Sequence, residues 1–437
     1  MAERTVIFFF LMLVISGSVT LFILSMTVST REKCQRALLG THRAKAQDCL
    51  FDADNLSEIK RELLKPDPVS TPHVESPIPI MNRSFFKMLP QWSFEDIYNQ
   101  DALPRPTICD QSLRNSKDET FQKAFLPNIR MFLHKENLNI REWNRLSHFN
   151  NPFGFMEMKY NDVMPVVKLI PKPKEPLLPP KPGGDGCVRC AVVGTAGILN
   201  GSKMGAEIDA HDYVFRMNGA VTKGYEEDVG NRTSVYVHTA HSITTSLILL
   251  KKYGYKSAPH EEGIKYVLIP EGLRDFQWLE SVITGKKVSS GPYRNRSASS
   301  YYSGQYNETR FYVLHQDFLR YVRNRFLKSN NLNKRYWPIV RPTNGAFSLF
   351  VALHACDKVS AYGFITEDYK KYSNYYVEKH LKSKVIFYAN HDLVMEKNLW
   401  KQLHDKNIIK LYQRTESQGN NCHCPCIKAK TTTIHGK

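Results

Sequence analysis

The sequence predicts an α/β protein with a Rossmann-like sheet, preceded by a membrane-spanning helix and an extended stem. Three observations predict it. Short apolar, β-branched runs alternate with helical stretches through the second half of the 437 residues. A glycine turn, GTAGILNG at Gly194–Gly201, joins the first two such runs. Near the start, Val6 to Val28 holds 23 residues without a charge, about 35 Å as a helix at roughly 1.5 Å per residue, which is long enough to span a bilayer.

The chain therefore divides into a tail at 1–5, an uncleaved anchor at 6–28, a stem at 29–106, a folded domain at 107–415 and a cysteine-containing tail at 416–437. A signal peptide is the weaker reading of 6–28, because its apolar core would span only about 7–15 residues. The stem is polar, proline-bearing and without apolar periodicity. Arg4 precedes the anchor, whereas Arg31, Lys33, Arg36, Arg43 and Lys45 follow it. Taken alone, that asymmetry would leave the domain in the cytosol. The N-x-S/T sequons argue for a lumen instead, with Asn55, Asn82, Asn295 and Asn307 as candidate glycan acceptors. Asn200 and Asn231 carry further sequons.

Within the domain, Phe132, Leu133, Trp143 and Phe149 are expected to pack on the sheet. Pro171 to Gly184 holds six prolines in its first twelve residues and is neither helix nor central strand. CAVVG then reads as a buried strand. DYVFRMN reads as a second strand that carries Arg216 and Asn218 to its C-terminal end, where open α/β sheets bind ligands. Gly194, Gly197 and Gly201 form G-x-x-G-x-x-x-G, not the dinucleotide G-x-G-x-x-G, so a nicotinamide oxidoreductase is not indicated. IKYVLIP and FYVLH read as strands, and DFLRYVRNRFL as an amphipathic helix. TNGAFSLFVALHAC reads as a buried helix, KVSAYGF and SKVIFYA as strands, and HDLVMEKNLWKQLHD as a helix with Asn390 as N-cap.

Lys and Arg number 60 against 42 Asp and Glu, a net charge of +18. No basic run or nucleic-acid motif accompanies the charge, so it reads as a basic surface suited to anionic substrates, and no nucleic acid is expected. Nine cysteines leave at least one unpaired. NCHCPC, from Asn421 to Cys426, is spaced too tightly for the usual zinc site and reads as a tail with mixed disulfides. Cys34 and Cys49 could link two chains into a homodimer. The D-x-D at Asp52–Asp54 falls in the stem and is not expected to bind metal.

Cys187 to Gly194, Asp209 to Arg216 and Tyr225 to Gly230 resemble the large sialylmotif of the animal sialyltransferases: C-x-x-C-A-V-V-G, D-x-H-D-x-V-x-R, then Y/F-E-x-D-V-G. Arg341 to Phe364 resembles the small motif, YSNYYVE at Tyr372–Glu378 the third, and HDLVME at His391–Glu396 the very short motif. The four occur in the family's order. GILNGS, RFLKS, RPTNGA, SAYGFITE and IIKLYQR look most like the members that sialylate O6 of N-acetylgalactosamine (GalNAc) in mucin-type O-glycans. The resemblance implies the single-domain, metal-independent variant of the GT-A nucleotide-sugar transferase fold. It implies a type II Golgi membrane protein with a luminal domain, CMP-sialic acid as donor, O-glycosylated glycoproteins as acceptors and no cofactor. It also implies disulfides Cys109–Cys187 and Cys190–Cys356.

Sialyl transfer needs a base for the attacking hydroxyl and donors for the departing phosphate. His391 is the expected base, as imidazole titrates near neutrality. Gly194, Thr195 and Asn218 are expected to hold ribose and phosphate. Thr343, Asn344 and Gly345 are expected to receive the donor at a helix N-terminus, whose dipole and free N–H groups favour an anion. Glu396 lies about 140° round a helix from His391, so it is read as a partner of another segment. Arg216 is expected to pair with a carboxylate, and Asp209, His211 and Asp212 to be structural. Two positions depart from the family pattern. Thr195 stands where Asn is common, and Tyr375, also placed at the donor, stands where His is common. Those departures support an alternative reading, a nucleotide- or glycan-binding or scaffolding protein with little turnover.

Overall fold

The computed structural model describes residues 75–303, 307–381 and 383–414. The anchor, Asn55, the D-x-D and the NCHCPC tail lie outside these residues. No helix among the described residues is long and apolar enough to cross a membrane.

Seven parallel strands form one sheet: β1 Arg189–Val193, β2 Tyr213–Met217, β3 Val235–His238, β4 Lys265–Leu268, β5 Phe311–Val313, β6 Lys358–Tyr362 and β7 Lys410–Leu411. Their spatial order is β5-β4-β3-β2-β1-β6-β7, with every neighbouring pair parallel. Parallel strands covered on both faces need continuous apolar runs, and β2 and β3 are buried at every residue. The strand order reverses at β1, so the C-terminal ends of β1 and β6 flank the topological switch point where such sheets bind ligands.

The longer helices are α1 Tyr160–Val167, α2 Ala240–Leu249, α3 Leu273–Thr284, α4 Gln316–Phe326, α5 Asn344–Ala355 and α6 Leu393–Asp405. α5 lies against β1, β2 and β6, and the residues on all its sides from Ala346 to Ala355 are buried. Phe132, Leu133, Trp143 and Phe149 join that same core. Both implied disulfides form, Cys109–Cys187 and Cys190–Cys356. Asp357, next to the second bridge, accepts from Arg105, Thr107, Ser112 and the Val188 N–H. Against the cost of burial, these donors hold its carboxyl down at about 2.

Four expectations are corrected. Residues 75–106, expected as stem, fold onto the domain. Arg323 pairs with Glu95 at 2.8 Å, and Arg320 donates to the carbonyls of Glu95 and Ile97. SKVIFYA is not a strand. Ile386, Phe387 and Tyr388 are about half exposed, and the edge position beside β6 is taken by β7. The N-cap of α6 is Asp392, whose side chain accepts from the Met395 N–H, while the Asn390 carbonyl accepts from the Arg341 N–H. Arg216 meets no carboxylate among the described residues; Asp209 is engaged by the N–H groups of Asn231 and Arg232. Its guanidinium donates instead to the carbonyls of Arg232 and Val229.

Candidate active site

A cavity of about 370 Å³ opens at the switch point. It is lined by Gly194, Thr195, Asn218, Thr343, Asn344, Gly345, Tyr375 and His391, all eight of the residues singled out for donor and base. Its floor is a contact that only glycine permits. A Cβ on Gly194 would lie 2.4 Å from the Gly363 carbonyl oxygen, and the Gly194 N–H donates to the Tyr362 carbonyl at 2.7 Å. The ends of β1 and β6 are thereby pressed together, and the next turn leads into the third motif. The Gly197 N–H donates to the Ser373 carbonyl, and the Tyr376 N–H to the Thr195 carbonyl.

On the β2 side, Asn218 takes a left-handed conformation at φ +52°, which asparagine tolerates better than most residues. Its Oδ1 accepts from Asn344 Nδ2 at 2.8 Å. Opposite stands the N-terminus of α5. Thr343 Oγ1 caps it by accepting from the Ala346 N–H at 3.0 Å, and the N–H groups at the start of the helix have no intrahelical partner. Anions are stabilised at such an end.

His391 lies just before α6. Its Nδ1 is 3.0 Å from the Arg341 carbonyl oxygen. A carbonyl only accepts, so Nδ1 carries the proton and Nε2 holds the lone pair, which accepts from Asn390 Nδ2 at 3.2 Å. Burial, reinforced by the Arg341 charge, pushes the imidazole down to about 4. At neutral pH it is therefore an unprotonated ring with its basic nitrogen oriented, as a proton acceptor requires.

Glu396 partners another segment, as expected, although His391 lies outside α6 and the helical angle between the two does not apply. Its two oxygens accept from the Thr343 N–H and Oγ1–H at 2.7 and 2.8 Å. Burial raises its carboxyl to about 7 despite those two donors. Asp209, His211 and Asp212 bind backbone or Ser360 away from the cavity. Tyr375 reaches the lining, and burial, then Tyr388 and Glu378, raise its phenol, keeping it a neutral donor. Asn82, Asn295 and Asn307 are all exposed.

Among the lining residues assigned no role from the sequence are Arg341, His241 and Ser242. Thr239 and Ser242 form a capping box at the start of α2, directly after β3. The phrase VYVHTAHS carried that signal, a β-branched run followed by Thr-x-x-Ser. Among the described residues no group of three or more His, Cys, Asp or Glu is placed to hold a metal ion.

An oriented neutral imidazole, a helix N-terminus and a glycine-pinned switch point in one cavity are the parts of an α/β group transferase. Residues 132–408 match glycosyltransferase family 29 (sialyltransferase), and the chain belongs to that family. It is similar to alpha-N-acetylgalactosaminide alpha-2,6-sialyltransferase 1 of Gallus gallus, 47% identical over 337 residues covering 76% of this chain and 59% of that one. The Homo sapiens protein of that name is 46% identical over 75% of this chain and 56% of its own. The chain thus spans a little over half the length of these two relatives. Alpha-N-acetylgalactosaminide alpha-2,6-sialyltransferase 2 of Mus musculus is 39% identical over 78% of this chain and 91% of its own. A crystal structure of a mammalian sialyltransferase shares the fold, with a TM-score of 0.53 and 24% identity over 71% of this chain and all of that one.

Proposed function

We propose that this chain transfers sialic acid from CMP-sialic acid to O6 of GalNAc in mucin-type O-glycans. The observation that carries the reading is the His391 tautomer: its Nδ1 donates to the Arg341 carbonyl, leaving Nε2 basic in the cavity that α5 also faces. In the proposed step the acceptor hydroxyl oxygen forms a bond to the anomeric carbon of sialic acid, and the bond from that carbon to the CMP phosphate oxygen breaks. The bonding pair leaves with CMP, and His391 Nε2 takes the hydroxyl proton. One displacement inverts the anomeric centre. The start of α5, Asn218, Thr195 and the Tyr375 phenol are the proposed donors to ribose and phosphate.

The same reading makes the protein a type II Golgi membrane enzyme, anchored by residues 6–28, of the single-domain GT-A variant, with O-glycosylated glycoproteins as acceptors. It needs no metal. Tyr375 favours a second reading, since a phenol in the cavity supplies no cationic charge to a departing phosphate. That reading is a nucleotide- or glycan-binding protein of low turnover.

The test incubates the chain from residue 29 onward with CMP-sialic acid and desialylated mucin, with and without EDTA, beside His391→Ala. EDTA-resistant transfer that disappears in the variant is expected. Folded protein that binds CMP and transfers nothing would sink the enzymatic reading.

A further inference from the structure

Arg341 stands where two hydrogen-bond chains cross. Its backbone faces the base: the N–H donates to the Asn390 carbonyl at 2.9 Å and the carbonyl receives His391 Nδ1–H at 3.0 Å. Its guanidinium serves a different partner. Paired with the buried carboxylate of Glu271, it donates from Nη1 and Nη2 to Asn344 Oδ1, each at 3.2 Å. Glu271 is itself held by Arg274. Burial would raise its carboxyl, but Arg341 and Arg274 outweigh burial and keep it low, hence charged.

A guanidinium has no acceptor atom, so only the oxygen of Asn344 can face it. The Nδ2 group of Asn344 must then point away from Arg341, where it donates to Asn218 Oδ1 at 2.8 Å. The same reasoning passes one residue further. With its oxygen facing Asn344, Asn218 turns its NH2 group the other way, and no protein acceptor meets that group among the described residues. Asn218 lines the cavity, so the free NH2 is a donor available to a ligand. An Asn218 amide turned over would show an oxygen there, which repels phosphate and cannot donate.

We propose that Arg341 is a positioning residue for the nucleotide: clamped by Glu271, it fixes the amide of Asn344 so that Asn218 presents its NH2 to the ribose or phosphate of CMP-sialic acid. The proposal rests on the sialyl-transfer reading. It gives Arg341 no contact with the sugar donor and separates its side chain from its backbone, which orients His391.

The test is a cycle of Arg341→Met and Asn218→Ala. Arg341→Met frees the Asn344 amide to turn, so CMP affinity and the KM for CMP-sialic acid are expected to worsen about tenfold or more, as for loss of a hydrogen bond to a charged group, with the acceptor KM unchanged. The melting temperature should fall as well, because Glu271 then keeps only Arg274. Asn218→Ala should abolish the effect of Arg341→Met on CMP, because residues acting through one relay are not additive. Wild-type CMP affinity in Arg341→Met, or additive losses in the pair, would overturn the relay alone. Should Arg341→Met not fold, the uncharged Asn344→Ala, which removes the group that orients Asn218, takes its place in the cycle. Failure of the wild-type protein to bind CMP would overturn the sialyl-transfer reading, and this one with it.

Discussion

Glu396 holds Thr343 by two hydrogen bonds, one to its backbone N–H at 2.7 Å and one to its hydroxyl at 2.8 Å. The first turn of α6 thereby locks the residue that caps α5, and the loop carrying His391 is tied to the loop that opens α5. Both residues line the cavity: His391 just ahead of α6, and Glu396 within its first turn, where it secures the wall.

Glu396→Gln keeps an acceptor for the Thr343 N–H and lets the hydroxyl accept instead of donate, so it should stay within about 1 kcal/mol of the wild type at pH 7. Glu396→Ala leaves the N–H buried without a partner and should cost about 1–3 kcal/mol more, together with a cavity. Urea midpoints of the two variants compare them directly, and equal losses would contradict the grip described here.

His391→Ala removes the proposed proton acceptor and leaves Asn218, Asn344 and Gly345 in place. Turnover should fall by about 10²–10⁴, the usual range for a general base, while CMP binding by calorimetry stays near the wild-type value. In the wild-type enzyme the acidic limb of the rate profile should lie well below neutrality, since burial holds His391 at about 4. An acidic limb at the ordinary imidazole value would show that a different group takes the proton.

Stability should fall in acid. Burial pushes His238, His315, His354 and His391 from 6.5 down to about 4. Between those values only the unfolded chain binds the proton. The stability these groups contribute is complete above pH 6.5 and is lost as pH falls toward 4, at about 1.4 kcal/mol per pH unit for each. Glu396 and Asp275 work in the opposite sense. Burial raises both to about 7, so their contribution is present at low pH and lost as pH rises toward 7. Four groups outweigh two, and the denaturation midpoint at pH 5 should lie below that at pH 7.

Removing residues up to 74 should leave a protein that folds, whereas removing residues up to 106 should not. The longer deletion strips Glu95 from Arg323 and the carbonyls of Glu95 and Ile97 from Arg320. Both guanidiniums are almost fully buried; Arg320 keeps Asp317, but Arg323 loses its carboxylate, and breaking a buried pair costs about 3–5 kcal/mol. Secretion yield and thermal melting of the two truncations test this.

The sheet was legible because its central strands are buried on both faces, and CAVVG and DYVFRM have no polar alternation to confuse them with surface strands. The residues singled out for donor and base were picked out by motif order, and all of them line one cavity. SKVIFYA misled because composition cannot tell an apolar strand from an apolar segment left at a cavity mouth. Phe387 rests edgewise on Tyr369 there and meets no neighbouring strand. Residues 75–106 were missed because their apolar side chains are scattered and pack on distant segments, Trp92 and Phe94 on Phe149 and Phe86 on Trp337. Glu95 and the backbone carbonyls beside it satisfy arginines more than 220 positions away, and no periodicity records that.

The Cys190–Cys356 bridge joins the start of β1 to the end of α5. Gly194 and Thr343 sit at the other ends of the same two elements, about 13 Å away along the strand at roughly 3.3 Å per residue and about 20 Å along the helix at roughly 1.5 Å. Covalent fastening and chemistry occupy opposite poles of the molecule. Loops at the open pole can therefore change what they grip while the fastened end keeps the scaffold in register. Binding preference is free to diverge there with little penalty in foldability.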